Sequence, residues 1–461
     1  MSERTFLGHP RGLAYLAFTE MWERFSFYGM QSLLVLYMTQ ELFLADKIGQ
    51  VTGIETYRWA VESVLGPLST QALAGQTFGL YAGLVYFTPL FGGWIADRWL
   101  GAKRTVVIGV LLMTAGHAAM VFDASFLIAL LLLILGSGAL KGNIAAQVGQ
   151  LYQPDDERMT RAYAIFSTFI NIGAILGPVA CGLLAQAYGW HYGFGFAGLL
   201  MLAALWVYLR GADALPDAVT SRSEALDNGP ITTAEGRSIG LLAFIYALMV
   251  VVTAGFDQTF NMGMVWIDAT VDLETWLGRF PVAWFVAVNS TAIVVLTTLT
   301  VIYWRALARR GVEPSDTTKI ALGGLFAGAG VALLAVADAI AGDGKVGIAL
   351  PVLSFIITGL GFAWYWPTVL AIAGRYAPPR FAARMMAAAY LTIFFSNMFG
   401  GYIATLYETM KPTVFWSLNA GFCFAGGALF LAFGPALTRA LARSRTDAAG
   451  EAAIIAREQI A

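Results

Sequence analysis

"EMWERFSFYGMQSLLVLYMT", residues 20–39, sets three ionisable side chains, Glu20, Glu23 and Arg24, into an otherwise apolar stretch. On an α-helix the positions 20, 23, 24, 27, 28 and 31 follow i, i+3, i+4, i+7 spacing. Glu20, Glu23, Arg24, Phe27, Tyr28 and Gln31 therefore share one face. A charge at mid-bilayer costs about 2.5–3.5 kcal/mol even on the lenient insertion scale, so such a stripe faces a bundle interior or a wet cavity. One Arg cannot neutralise two glutamates, and the surplus carboxylate is a candidate for reversible protonation. A static network tying this helix to a neighbour is the alternative. Lys141, in "GSGALKGNIA" (136–145), brings a second cation towards the same central space.

The rest of the chain is equally apolar. Of its 461 residues 58% are hydrophobic and only 12% charged, and the mean hydropathy is +0.68. A soluble domain carries about twice that charged fraction. The apolar residues come in blocks of about 20, the length that crosses a hydrocarbon core of about 30 Å. Twelve helices are expected near residues 12–40, 76–98, 103–122, 125–148, 160–186, 190–210, 238–266, 281–306, 317–338, 346–374, 382–406 and 413–440. The expectation is an all-α integral membrane protein whose first partner is the lipid bilayer.

Several classes fall away. The net charge is -1 with no long basic tract, so nucleic acid is not an expected partner. Cys181 and Cys423 lie in apolar segments and read as small buried hydrophobes rather than a disulfide. "MSERTFLGHPRG" lacks the pattern of a removable signal peptide. His9, His117 and His191 form no metal-ligand spacing, and there is no HExxH, nucleophile elbow or phosphate loop. No metal or organic cofactor is expected, and an intramembrane enzyme or a receptor is the remote reading.

Lys and Arg favour the cytoplasmic side of short loops. With the N-terminus inside, the inner connections hold Arg4, Arg11, Arg98, Lys103, Arg104, Arg158, Arg161, Arg210, Arg222, Arg237, Arg305, Arg309, Arg310, Lys319, Arg375, Arg380, Arg384, Arg439, Arg443 and Arg445, whereas the outer ones hold only Lys47, Arg58, Arg279, Lys345 and Lys411. Both termini are expected in the cytoplasm. Residues 211–237, "GADALPDAVTSRSEALDNGPITTAEGR", are polar and rich in Asp, Ser, Pro and Gly. They read as a cytoplasmic linker between a six-helix bundle at 1–210 and a second at 238–445, with a cytoplasmic tail at 446–461. Two such bundles make the architecture of the major facilitator superfamily, whose halves rock around a midplane site. The outer loop at about 41–75 has room for a short helix.

The charged helix also resembles the first-helix signature of the proton-dependent oligopeptide transporters, a branch of that superfamily, written ExxERFxYYG. "GLYAGLVYFTPLFGGWIADRWLGAKRTVVIG" (79–109), "GSGALKGNIA", "FSTFINIGAILGP" (166–178) and "YGWHYGFGFAGLLM" (188–201) resemble its next segments, and "EPSDTTKIALG" (313–323) resembles its entry to the ninth helix. The resemblance implies a proton symporter that imports di- or tripeptides, with the proton as coupling ion, working as a monomer in a bacterial inner membrane. It implies a proton-coupling role for Glu20, Glu23, Arg24 and Lys141, the last as their salt-bridge partner or as a contact for a peptide carboxylate. Tyr28, Gln31, Tyr81 and Asn171 would line the pocket, with Tyr86 a weaker candidate. Asp97, Arg98, Lys103 and Arg104 would latch the cytoplasmic gate.

The departures bear on the substrate. The family commonly reads YYGMR where this chain has Phe27 and Gln31, and G-E-L-x-x-x-P where it has "GLGFAWYWP" (359–367), with Phe362 in place of the acid. Trp364, Tyr365 and Trp366 then join the pocket as aromatic candidates. "TAGFDQTFNMGMVWIDATVD" (253–272) offers Asp257 and Gln258 as replacements, with Asp268 at the outer mouth. "FPVAWFVAVNS" (280–290) lacks the family's Q-S-x-N-P pattern. A non-peptide organic anion, an amino-acid conjugate or an N-modified peptide is the alternative cargo.

Overall fold

The computed structural model describes residues 5–153, 156–216, 231–276 and 278–458; residues 217–230, the greater part of the linker, lie outside them. Twelve long helices form among the described residues: α1 Gly12–Tyr37, α2 Thr70–Phe87 continuing through Pro89–Ile95, α3 Gly101–Ala119, α4 Phe126–Gln150, α5 Arg158–Tyr188, α6 Trp190–Gly211, α7 Thr233–Asp257, α8 Trp284–Arg309, α9 Asp316–Ala341, α10 Ala349–Tyr376, α11 Ala382–Ala404 and α12 Pro412–Glu458. Ten stretches among the described residues are long and apolar enough to cross a bilayer, one of them the 50-residue run Thr70–Ala119 that holds both α2 and α3; α1 is not among them. The first helix is the polar exception because it carries the three charges. Its 26 residues span about 39 Å at 1.5 Å per residue, ample for the core.

Most differences from the expected boundaries have local causes. α2 starts at Thr70 because the Ser69 hydroxyl accepts the Ala72 amide at 3.0 Å, a cap that apolar periodicity does not register. α7 starts at Thr233 behind a reciprocal capping box between Thr232 and Glu235. The outer loop holds a short helix, Ile54–Leu65, anchored where Tyr57 and Thr77 share a hydrogen bond of 2.8 Å. α7 does not run through to 266. It gives way at Asp257 to a tight turn over Gln258–Phe260 and resumes as a short helix, Met262–Thr270. The last helix runs on to Glu458. At the N-terminus Thr5–Phe6 and His9–Pro10 form a two-residue hairpin, tied to the α4–α5 connection by His9 and Tyr152 at 2.9 Å.

Glycines let backbones meet, the packing mode available where lipid removes the hydrophobic drive between helices. A Cβ on Gly173 would press on Met21 O, and one on Gly177 would stand 3.0 Å from Gly29 N and closer still to Phe25 O, so α1 and α5 touch main chain to main chain. Gly177→Val is expected to force this crossing apart at a cost of at least about 1–3 kcal/mol. The measurement is the thermal midpoint in detergent; an unchanged midpoint would contradict the packing described.

The halves join through the same device. On α2, a Cβ at Gly75 would meet the Ala404 side chain at 2.6 Å, and one at Gly79 would meet Asn397 O at 2.6 Å and Gly401 Cα at 2.7 Å on α11. The Asn261 amide donates across the seam to Gly75 O at 3.0 Å, and Trp284 Nε1 on α8 donates to Val179 O on α5 at 3.0 Å. Further out, Gln40 donates to Asp268, which also pairs with Arg279 at 2.9 Å. These contacts all lie at the end remote from the chain termini.

Candidate functional site

Between the halves lies a cavity of about 350 Å³, within the range that holds small ligands. Seven helices wall it: α1 with Arg24, Tyr28 and Gln31; α2 with Phe78, Ala82 and Tyr86; α5 with Ile170, Asn171 and Ala174; α7 with Thr253, Phe256 and Asp257, joined by Phe260 from the turn that follows it; α8 with Val286, Asn289, Ser290 and Ile293; α10 with Phe362, Tyr365 and Trp366; α11 with Tyr390, Ile393 and Asn397. Each set advances by one, three or four residues, so each is a single helical face turned inward.

The charged face of α1 divides in two. Arg24, Tyr28 and Gln31 border the cavity, whereas Glu20 and Glu23 lie beside it, 5% and 0% exposed. Arg24 Nε approaches Glu20 Oε1 at 3.1 Å, and its Nη2 pairs with Glu23 Oε2, so one guanidinium serves both carboxylates. Isolated charges at this depth are untenable; a buried pair that keeps most of its attraction is not. Lys141 sits with its Nζ 4.2 Å from the centre of the Phe27 ring and 4.4 Å from that of Tyr86. It forms no ion pair with Glu20 or Glu23 here. The ammonium waits behind two aromatic faces, a contact worth about 0.5–2 kcal/mol, and its Nζ has no hydrogen-bond partner.

Other expected pocket residues separate in the same way. Tyr28, Gln31, Asn171, Asp257, Phe362 and Trp366 border the cavity. Tyr81 does not: it is buried with its ring stacked on Phe27, 6.5 Å between centres, while Tyr86 takes the wall position. Gln258 turns away and donates to Gly400 O. Trp364 packs into the second bundle against Trp304 and Phe326, at 5.3 and 5.5 Å. Tyr365 borders the cavity as well, and the wall also holds Phe256, Asn289, Tyr390 and Asn397, which the sequence reading did not single out. Asp97 and Arg98 lie exposed in the turn Ala96–Leu100, and Lys103 and Arg104 open α3, all at the terminal end of the first bundle.

Asp257 is the carboxylate among the residues that line the cavity itself. Ser396 Oγ donates to its Oδ2 at 2.5 Å and Asn397 Nδ2 approaches at 3.4 Å. Among the described residues no ammonium or guanidinium is found paired with it. Among the described residues no cluster of His, Cys, Asp and Glu side chains could hold a metal ion.

The sequence profile of the Major Facilitator Superfamily matches residues 16–401. The chain is 29% identical to a di-/tripeptide transporter of Lactococcus lactis subsp. cremoris over 91% of this chain and 94% of that protein. It is 27% identical to a peptide transporter of Yersinia enterocolitica subsp. palearctica, over 94% and 95%. A crystal structure of a peptide transporter in complex with sulfate superposes with a TM-score of 0.83 at 26% identity, covering 95% of this chain and 97% of that one. A mutant peptide transporter in complex with alafosfalin gives 0.82 at 27% identity, with the same coverage. These similarities bear out the resemblance carried by the first-helix signature.

Proposed function

We propose, from the premise that the chain belongs to the major facilitator superfamily, that it is a proton-driven symporter for short peptides or peptide-like solutes. The observation that carries the reading is the site's own charge set: two buried glutamates sharing one guanidinium at the wall of a cavity between two bundles. Similarity to transporters named for di- and tripeptides supports the cargo.

The charge asymmetry of the connections supports termini in the cytoplasm. The end closed by Gly75, Gly79, Asn261 and Trp284 is then extracellular, and the cavity belongs to the inward-facing half of the cycle. The polar residues 211–237 let the bundles rock, and no partner subunit is required. A bacterial inner membrane fits the sources of the relatives. Glu20 and Glu23 load a proton when outward-facing and release it inward, as opening changes the neighbours that stabilise each charge. Protonation loosens Arg24 from the carboxylate that accepts the proton, leaving Arg24 or Lys141 free to answer a solute's carboxylate where it carries one. Asp97, Arg98, Lys103 and Arg104 latch the cytoplasmic gate when the outer seam parts. An organic-anion cargo loses ground, because the lining presents a carboxylate without a counter-ion and a guanidinium that already has two.

The test is uptake into proteoliposomes with an acidic exterior. One pH unit corresponds to about 1.4 kcal/mol per proton, hence about tenfold accumulation for each proton carried. Accumulation of a dipeptide above the outside concentration, collapsed by a protonophore, is the expected result. Equilibration without accumulation for every peptide tried would overturn it.

A further inference from the structure

Among the described residues only two formal charges border the cavity, Arg24 and Asp257. They are not equivalent. Arg24 is occupied by Glu20 and Glu23, while Asp257 has only the Ser396 hydroxyl and the Asn397 amide. Gln31 contributes a neutral amide, and Lys141 stands outside the wall, against Phe27 and Tyr86. The lining therefore has one uncommitted charge, and it is negative.

The wall of the same cavity carries an aromatic ladder. Phe256, the residue before Asp257, stacks on Phe362 with 5.9 Å between centres and 29° between planes. Phe362 stacks in turn on Trp366, at 6.1 Å and 26°, and Tyr390 meets Trp366 edge-on at 5.5 Å. A carboxylate next to ring faces is the environment that recognises an organic ammonium, by ion pairing on one side and by the ring quadrupoles on the other. Binding such a cation also supplies the counter-charge that Asp257 lacks, a gain that no anion or blocked amine provides.

We propose that the group every transported solute must carry is an ammonium, seated at Asp257 against the Phe256–Phe362–Trp366 ladder, and that a carboxylate is dispensable. The substrate class is primary amines with an adjoining aromatic or large apolar group: peptides with an aromatic first residue, and their C-terminal amides equally. This rests on the transport reading and specifies the cargo of the same cavity.

The experiment is equilibrium binding to the purified full-length protein at neutral pH, with no gradient, using four probes: phenylalanyl-alanine, its C-terminal amide, its N-acetyl form, and alanyl-alanine. The free peptide and the amide are expected to bind within about threefold of each other, and the acetylated peptide at least about tenfold more weakly. Alanyl-alanine should fall behind phenylalanyl-alanine, and Phe362→Leu should narrow that difference. Asp257→Asn should erase the penalty for acetylation, and Asp257→Glu should retain it. Equal binding of the acetylated and free peptides, a loss beyond tenfold for the amide, or binding of none of the four overturns the proposal. Binding in the expected order without gradient-driven uptake would instead overturn the symport reading and leave the cation site standing.

Discussion

In proteoliposomes, Glu23→Gln is expected to abolish accumulation against a gradient while downhill counterflow of the same solute continues. Glu23 is fully buried and paired with Arg24, so the amide keeps the shape and removes the titration. Arg24 retains Glu20 at 3.1 Å, which leaves the guanidinium compensated and the helix in place. What disappears is a site that takes a proton on one side of the membrane and releases it on the other. The accumulation ratio should fall from about tenfold per pH unit and proton to unity. Wild-type accumulation by this variant would remove Glu23 from the coupling mechanism, and loss of counterflow as well would show a structural failure instead.

Arg24→Leu should produce the largest stability change in the molecule. The substitution leaves Glu20 and Glu23 buried on one face of α1 with no guanidinium, and removing one partner of a buried ionic set costs about 3–5 kcal/mol. Lys141 cannot take over without leaving the rings of Phe27 and Tyr86. The expected result is a strongly lowered thermal midpoint or no folded protein in the membrane. Adding Glu20→Gln and Glu23→Gln to the same chain should recover much of the midpoint, because the uncompensated carboxylates go with them. A single Arg24→Leu protein as stable as the wild type would contradict this account of the cluster.

Much of this site is readable in the sequence once every helix is treated as α1 was. The wall residues Phe78, Ala82 and Tyr86 of α2 are four apart, and Thr253, Phe256 and Asp257 of α7, with Phe260 in the turn after it, repeat the i, i+3, i+4, i+7 pattern. Tyr81 fails because a one-residue step turns a side chain by about 100°, and a helix apolar on all sides gives no hint which face meets the cavity. Trp364 and Trp366 are the same case on α10: they stand about 200° apart, and only the neighbouring α8 and α9 decide which of them faces inward. The position of Lys141 is a tertiary fact of another kind. Its choice of two rings over a glutamate depends on how closely α4 approaches α1 and α2, which no single-helix pattern contains. The twelve helices were legible because hydrophobic length is a property of the chain alone.

The glycine seam between α2 and α11 bears on fuel economy. A carrier driven by protons wastes its gradient if hydronium slips through the closed side, and slippage needs a file of water. With Gly79 drawn onto Asn397 O and Gly401 Cα, that wall is backbone against backbone, and at Gly75 it closes on the Ala404 methyl and the Met262 side chain. A water molecule needs a void of at least about 10–15 Å³ with polar partners, and main chains this close leave none between them. The missing side chains make the door tight, so a proton crosses there only when the whole half turns.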